Sequence, residues 1–140
     1  MPTSADLFAV DTSVAVAALD GSHTAHGACR AAVIEQRPWL AGHAAFETMS
    51  VLTRMPGQLN VDPPAAAAAV NGMFPGVAWL GADAAVDLLS RLGKIGIGGG
   101  AVYDALVGEA ARTNARTLLT RDLRARRTYD LLGVAYELLS

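Results

Sequence analysis

The sequence predicts an α/β fold in which a parallel sheet is covered by helices on both faces. Short aliphatic runs alternate with longer segments of helical periodicity, an order typical of parallel strands joined by helical crossovers. The 140 residues are 52% hydrophobic and 17% charged, which indicates a compact globular chain. Two acids also come at or just after the ends of predicted strands, at the sheet edge where α/β proteins bind their ligands.

In the first half of the chain, strands and helices alternate from the start. The apolar run at 7–10 predicts a buried strand, and Asp11-Thr12-Ser13 forms the turn into a helix. Alanines at helical spacing predict the second helix, and Met55-Pro56-Gly57 ends the third. The elements predicted here are a strand over 7–10, helices over 13–19 and 24–35, a strand over Trp39–Ala41 and a helix over 43–54.

The second half continues the alternation. Asp62-Pro63-Pro64 starts a helix in the favoured way, with an N-cap followed by Pro in the first turn. The glycine-rich run 96–100 predicts a loop that lets the chain approach the next helix closely. The elements predicted here are a helix over 62–72, a strand over 77–80, helices over 83–92 and 101–113, a strand over 117–120, a helix over 123–132 and a strand over 135–138.

Composition narrows the class of protein. The length predicts one domain over residues 1–140. No apolar stretch reaches the roughly 18 residues of a membrane span, and no basic segment precedes the first apolar run, so we expect neither a span nor a signal peptide. Cys29 is the only cysteine, which excludes a disulfide framework and favours a reducing cytoplasm. The net charge of −2 neither demands nor excludes a phosphate-bearing substrate.

Four carboxylates stand where predicted strands end or within predicted helices of small apolar residues. Acids in such surroundings are costly unless something pairs with them, and a group of four would repel one another without a cation. Carboxylate oxygens are the hard ligands that Mg²⁺ and Mn²⁺ prefer. The sequence therefore predicts a divalent metal site, and its candidate ligands are Asp11, Glu47, Asp104 and Asp122.

Each acid also has an ordinary structural explanation. Asp11 and Asp122 both follow a strand and precede a helix, where Asp is a common N-cap. Asp104 complements the positive end of its helix. Its neighbours at helical spacing are small and apolar, however, which places it at the rim of the packed face, and Glu109 indicates the solvated side of the same helix. Glu47 is the weakest candidate, because an acid inside a helix is most often solvated.

Other candidate sites carry less weight. His23 and His26 share a helical spacing, but nothing near them completes a zinc pattern, and with His43 they are interpreted as surface residues. The glycine run lacks the Gly-Lys-Ser/Thr ending of a phosphate-binding loop. The arginines around Asp122 indicate either a solvated helix face or a rim that contacts phosphate; they are Arg121, Arg124, Arg126 and Arg127.

Four short motifs resemble the PIN domain family and, within it, the VapC toxins of bacterial VapBC toxin–antitoxin modules. Each motif is weak alone, but their order along nearly the whole chain is specific as a set. The motifs are Val10-Asp11-Thr12-Ser13, Glu47 followed by Leu52 and Arg54, Tyr103-Asp104-Ala105-Leu106, and Leu119-Thr120-Arg121-Asp122.

The resemblance implies a three-layer α/β/α fold and a Mg²⁺-dependent endoribonuclease, with Mn²⁺ as a possible substitute. It also implies a homodimer and inhibition by a cognate VapB antitoxin. By motif match, Asp11 and Asp104 would be the principal metal ligands, and Glu47 and Asp122 would complete the acidic site. A hydroxyl from Ser13 or Thr120 would add to the shell.

One departure from the family pattern concerns the end of the last motif. Some relatives carry a further acid there, whereas Leu123-Arg124-Ala125-Arg126-Arg127 follows Asp122. This implies a second metal site that is weaker or is filled only with substrate. The competing functions left open by the residues are a metal-dependent DNA nuclease or phosphatase, and a non-enzymatic domain that binds a partner protein.

Overall fold

The computed structural model describes residues 7–56 and 60–140. Five strands form one sheet: β1 Phe8–Val10, β2 Trp39–Ala41, β3 Val77–Ala78, β4 Thr117–Thr120 and β5 Tyr136–Leu138. Seven helices of this part of the chain surround it: α1 Thr12–Leu19, α2 His26–Gln36, α3 Ala44–Arg54, α4 Pro63–Met73, α5 Ala82–Ile95, α6 Ala101–Thr113 and α7 Arg126–Leu132.

The sheet is parallel throughout, in the order β3-β2-β1-β4-β5. The chain builds outward from β1 to β3 on one side and then returns to place β4 and β5 on the other side. The strand order therefore reverses between β1 and β4. The carboxyl ends of these two strands border the crevice in which open α/β sheets bind ligands.

Alternating strand residues separate two cores, one on each face of the sheet. In β4, Leu119 packs into the core beneath α1 to α4, whereas its neighbour Leu118 packs into the core beneath α5 to α7. In β1, Val10 packs into the same core as Leu119, and Ala9 packs into the same core as Leu118. The predicted three-layer α/β/α architecture with a parallel central sheet is thus confirmed.

The boundaries of several elements differ from the predictions. The third strand ends at Ala78 rather than at residue 80, because it pairs with β2 alone and the chain leaves the sheet there. The predicted helix over 123–132 divides into a 3-10 turn, Leu123–Ala125, and α7. The third helix ends at Arg54 as predicted, while Gly57 of its stop signal lies outside the described residues.

The prediction that Glu109 faces solvent is wrong. Its side chain is 1% exposed and forms ion pairs with Arg91 of α5 at 2.7 Å and with Arg112 of α6 at 2.8 Å. The guanidinium of Arg112 beside it holds the pKa of Glu109 below its usual range. Within the described residues, no helix combines the length and apolar character that crossing a membrane requires.

Candidate functional site

Asp11 lies at the carboxyl end of β1 and is the N-cap of α1. Its Oδ1 accepts hydrogen bonds from the backbone N–H of Val14 at 3.3 Å and from the hydroxyl of Ser13 at 2.5 Å. The structural explanation for this acid is therefore correct, since it caps its helix. The cap accounts for one carboxylate oxygen only.

The second oxygen of Asp11 points toward β4 and α7. Oδ2 accepts hydrogen bonds from the hydroxyls of Thr120 and Tyr129, the latter at 3.1 Å. Asp11 is 4% exposed, and burial raises its pKa although these four donors oppose the rise. Among the described residues, every group that donates a hydrogen bond to this buried carboxylate is uncharged. The negative charge of Asp11 therefore remains available to a cation.

Asp104 lies in the first turn of α6 and is half-buried. Burial raises its pKa to about 6, and repulsion from the carboxylates of Asp122, Glu47 and Asp11 adds to the rise. The fold has thus brought the other three predicted acids within electrostatic reach of Asp104. Repulsion of this kind favours binding of either a proton or a metal ion.

Glu47 and Asp122 lie on two further elements around the site, α3 and the start of the 3-10 turn. Glu47, in the first turn of α3, accepts a hydrogen bond from the hydroxyl of Thr12 at 3.1 Å, which ties α3 to the start of α1. Asp122 caps the 3-10 turn by accepting from the backbone N–H of Arg124 at 2.9 Å. Its own N–H donates to the Thr120 hydroxyl at 3.1 Å, so Asp122 and Asp11 share one threonine.

The donor set fits a hard divalent cation in its chemistry, because it offers carboxylate oxygens whose charges repel one another. Within residues 7–56 and 60–140, however, no group of three His, Cys, Asp or Glu side chains is arranged to enclose a metal ion. Three of the acids are engaged instead by hydrogen bonds from hydroxyl and backbone donors. The residues that would hold a cation are thus grouped but not closed into a cage.

Sequence reasoning missed Tyr129. This side chain is 1% exposed, and its hydroxyl reaches Asp11 from 118 positions along the chain. Burial and the Asp11 carboxylate both raise the pKa of the tyrosine, which keeps it a donor. Gly108 makes room for the ring, since a Cβ there would lie 2.9 Å from Cδ1 of Tyr129. A glycine facing inward on α6 was the available signal.

The weaker candidates take other places in the fold. The Nδ1 of His26 donates to the carbonyl of Ala17 at 2.9 Å, and the Nδ1 of His23 accepts from the N–H of Ala25 at 3.0 Å, so both stabilise the α1–α2 connection. The glycine run links α5 to α6. Among the arginines, Arg124 pairs with Asp122 at 3.7 Å through an exposed side chain.

Comparison with known proteins gives consistent results. A sequence model of the PIN domain matches residues 8–131. Ribonuclease VapC27 of Mycobacterium tuberculosis (strain ATCC 25618 / H37Rv) is 44% identical over 126 residues, which cover 90% of this chain and 92% of that protein. Ribonuclease VapC40 of Mycobacterium tuberculosis (strain CDC 1551 / Oshkosh) is 40% identical over 136 residues, 96% of this chain and 100% of that protein.

Proposed function

Because the chain belongs to the PIN domain family, we propose that it is a metal-dependent endoribonuclease, the toxin of a type II toxin–antitoxin pair. The observation that carries the proposal is the position of Asp11. It ends the central strand at the reversal of strand order and shares Thr120 with Asp122. Relatives named ribonucleases match 90% and 96% of the chain.

The cation would be held by Asp11 and Asp104, with Glu47 and Asp122 completing the acidic site. We propose Mg²⁺, with Mn²⁺ as a substitute, because all four ligands are carboxylates. When bound, such an ion neutralises the site and polarises a phosphate oxygen of the substrate. It would also relieve the repulsion that raises the pKa of Asp104.

The protein side chains have two tasks in this proposal. Ser13, Thr120 and Tyr129 fix both oxygens of Asp11 through their hydroxyls. Glu47 or Asp122 accepts the proton of the water that attacks the phosphodiester. No covalent intermediate on the enzyme is required, because water attacks the phosphorus directly.

The test compares two site variants with a matched control. Asp11→Asn and Asp104→Asn are expected to reduce Mg²⁺-dependent RNA cleavage by about 1000-fold, since several kcal/mol of electrostatic stabilisation are lost. Asp62→Asn removes an exposed N-cap carboxylate from α4 and should leave the rate unchanged. Full activity in both site variants would disprove the proposal.

The same assay separates the competing functions. The wild-type protein is incubated with RNA, single-stranded DNA and a phosphomonoester, each with Mg²⁺ or Mn²⁺. Cleavage of RNA alone supports the proposal. Turnover of DNA or of the monoester instead would indicate a DNA nuclease or a phosphatase, and no turnover together with no divalent binding in calorimetry would indicate a partner-binding domain.

We further propose a cytoplasmic homodimer that is inhibited by a cognate VapB-type antitoxin. An antitoxin that inserts a basic side chain among the four carboxylates would supply the charge that the metal otherwise provides. Co-expression with a small protein encoded next to this chain, followed by light scattering of the purified complex, tests the partner and the stoichiometry together.

A further inference from the structure

Four aromatic side chains form a continuous row beside the acidic site. We call Tyr103, His43, Phe46 and Trp79 the aromatic row. The rings of Tyr103 and His43 are stacked with centroids 5.4 Å apart, those of His43 and Phe46 are 6.5 Å apart, and those of Phe46 and Trp79 are 5.6 Å apart. The row joins the start of α6, the start of α3 and the end of β3.

The row is exposed rather than part of either core. Phe46 is 61% exposed, Trp79 53% and Tyr103 52%. Large rings left in water cost free energy that burial would recover, so a contiguous exposed group of them marks a binding surface rather than a packing element. Other exposed apolar residues, such as Val86 and Leu89 on α5, have no π-face to offer a ligand.

Two members of the row directly precede candidate metal ligands. Tyr103 precedes Asp104, and Phe46 precedes Glu47. Phe46 and Glu47 also line the same cleft, so a ligand lying on the Phe46 ring would lie beside this candidate metal ligand. The row provides uncharged contact area next to carboxylates that repel phosphate, and this suits the bases of a nucleic acid better than its backbone.

A cleft beside the aromatic row is lined by both aromatic rings and an arginine side chain. The cleft has a volume of about 500 Å³, and its lining includes the rings of Phe46 and His43, the acid Glu47 and the arginine Arg54. This volume lies within the range of small-molecule sites. The Arg54 side chain is exposed, and within the described residues its only hydrogen bond is a long one of 3.4 Å to the Ser50 hydroxyl.

We propose that this cleft binds an unpaired nucleotide next to the cleaved phosphate, with its base stacked on Phe46 and its flanking phosphate on Arg54. The proposal rests on the ribonuclease function above and deepens it, because it assigns Phe46 and Arg54 to the binding of one nucleotide of the substrate. Bases within a duplex are already stacked and their faces are not available, whereas an unpaired base can turn its face to an aromatic ring.

The first test measures binding that depends on bases. Two fluorescently labelled probes are titrated in EDTA, so that no cleavage occurs: a single-stranded RNA of mixed sequence, about 10 nucleotides long, and a ribose-phosphate oligomer of the same length without bases. Because both probes carry the same charge, the ratio of their dissociation constants measures the contribution of the bases to binding. We expect the wild-type protein to bind the RNA about tenfold more tightly than the base-free probe.

Substitutions at Phe46 assign the effect to its ring. Phe46→Leu keeps an apolar side chain but removes the π-face, and it should abolish the preference for bases. Phe46→Trp should retain it. Leu89→Ala, at a residue that is 74% exposed on α5, is the matched control and should behave as wild type. Circular dichroism verifies the fold of each variant.

Salt dependence tests the phosphate contact. Replacing Arg54 with Gln should reduce the slope of log binding constant against log salt by about 0.7, the value for one phosphate of a single strand. Arg30→Gln, an exposed arginine on α2, is the control and should leave the slope unchanged. An unchanged slope in Arg54→Gln would overturn the role of this residue.

The outcomes separate this proposal from the function on which it rests. RNA cleavage by the wild-type protein without any preference for bases would overturn the nucleotide cleft and leave the ribonuclease intact. No cleavage of RNA with either metal would overturn the ribonuclease itself. If Phe46→Leu changes the mass in light scattering while the preference for bases persists, the aromatic row is a protein interface and the proposal is wrong.

Discussion

Two buried acids in this protein have opposite surroundings. Glu109 is neutralised by the guanidinium groups of Arg91 and Arg112, and its pKa is lowered. Asp11 is buried as well, but its hydrogen-bond donors within the described residues are all uncharged, and burial raises its pKa. One carboxylate is satisfied by the fold, whereas the other is held in place while its charge is left for a ligand to compensate.

This difference separates a structural acid from a candidate metal ligand more clearly than burial does. A carboxylate that serves the fold needs a cation built into the chain, because an unpaired buried charge is costly. A carboxylate that binds metal must keep its charge available, and hydroxyl donors can orient it without neutralising it. The hydroxyls of Ser13, Thr120 and Tyr129 have this orienting position around Asp11.

The largest expected effect on stability comes from Glu109→Gln. This change removes the charge that both arginines pair with, and it should lower the free energy of unfolding by about 2–3 kcal/mol, somewhat below the usual loss for a buried pair because both guanidiniums reach solvent. Asp11→Asn should cost only about 1 kcal/mol in EDTA, because Asn also caps helices and removes a buried charge, while its amide group replaces an oxygen that accepts from Thr120 and Tyr129. Urea denaturation at neutral pH measures both.

Asp87→Asn is the matched control for Glu109→Gln. Asp87 pairs with the same Arg91 at 3.6 Å, but its side chain is 64% exposed, so its loss should cost less than about 0.5 kcal/mol. The loss in Glu109→Gln should also shrink in acid. The lowered pKa of Glu109 means that its stabilisation is present above the unfolded value and is lost as pH falls through the folded value. Equal losses in the two variants would contradict the comparison.

Gly108→Ala tests whether the position of the Tyr129 ring matters for its hydrogen bond to Asp11. A Cβ at this position would lie 2.9 Å from the Tyr129 ring and 3.0 Å from Val134, so we expect a loss of about 2 kcal/mol together with lower RNA cleavage as Tyr129 shifts from Asp11. Gly93→Ala on α5 meets no atom within 4 Å and should instead stabilise the protein by about 0.5 kcal/mol. A neutral Gly108→Ala would show that the tyrosine has room to move.

The sequence was informative where local order decides the structure. The alternation of strands and helices predicted the parallel sheet, and the acids that follow β1 and β4 signalled the edge of the sheet where Asp11 and Asp122 lie. These features depend on neighbouring residues only. The same local reasoning explains why both acids were also expected, correctly, to cap the turns that follow them.

The contacts that give the acids their different characters come from distant parts of the chain. Glu109 meets Arg91 across 18 positions, Glu47 meets Thr12 across 35, and Tyr129 meets Asp11 across 118. Helical periodicity placed Glu109 on a solvated face, because the spacing of residues within one helix contains no information about α5, which packs against that face. The partners of a buried polar group are set by tertiary packing, and a single sequence does not reveal them.

The smallest expected effect is that of Asp104→Asn on stability, and its size depends on pH. Because its folded pKa is raised from 3.8 to about 6, its contribution to stability is complete below the unfolded value and is lost as pH rises through about 6. In EDTA, Asp104→Asn should therefore match the wild type near pH 4. Near pH 8 it should be more stable by about 1 kcal/mol, a figure reduced for the screening of a half-buried group. Saturating Mg²⁺ should reverse the order by stabilising only the wild type. The same gain in Asp62→Asn would show that repulsion within the acidic site is not its cause.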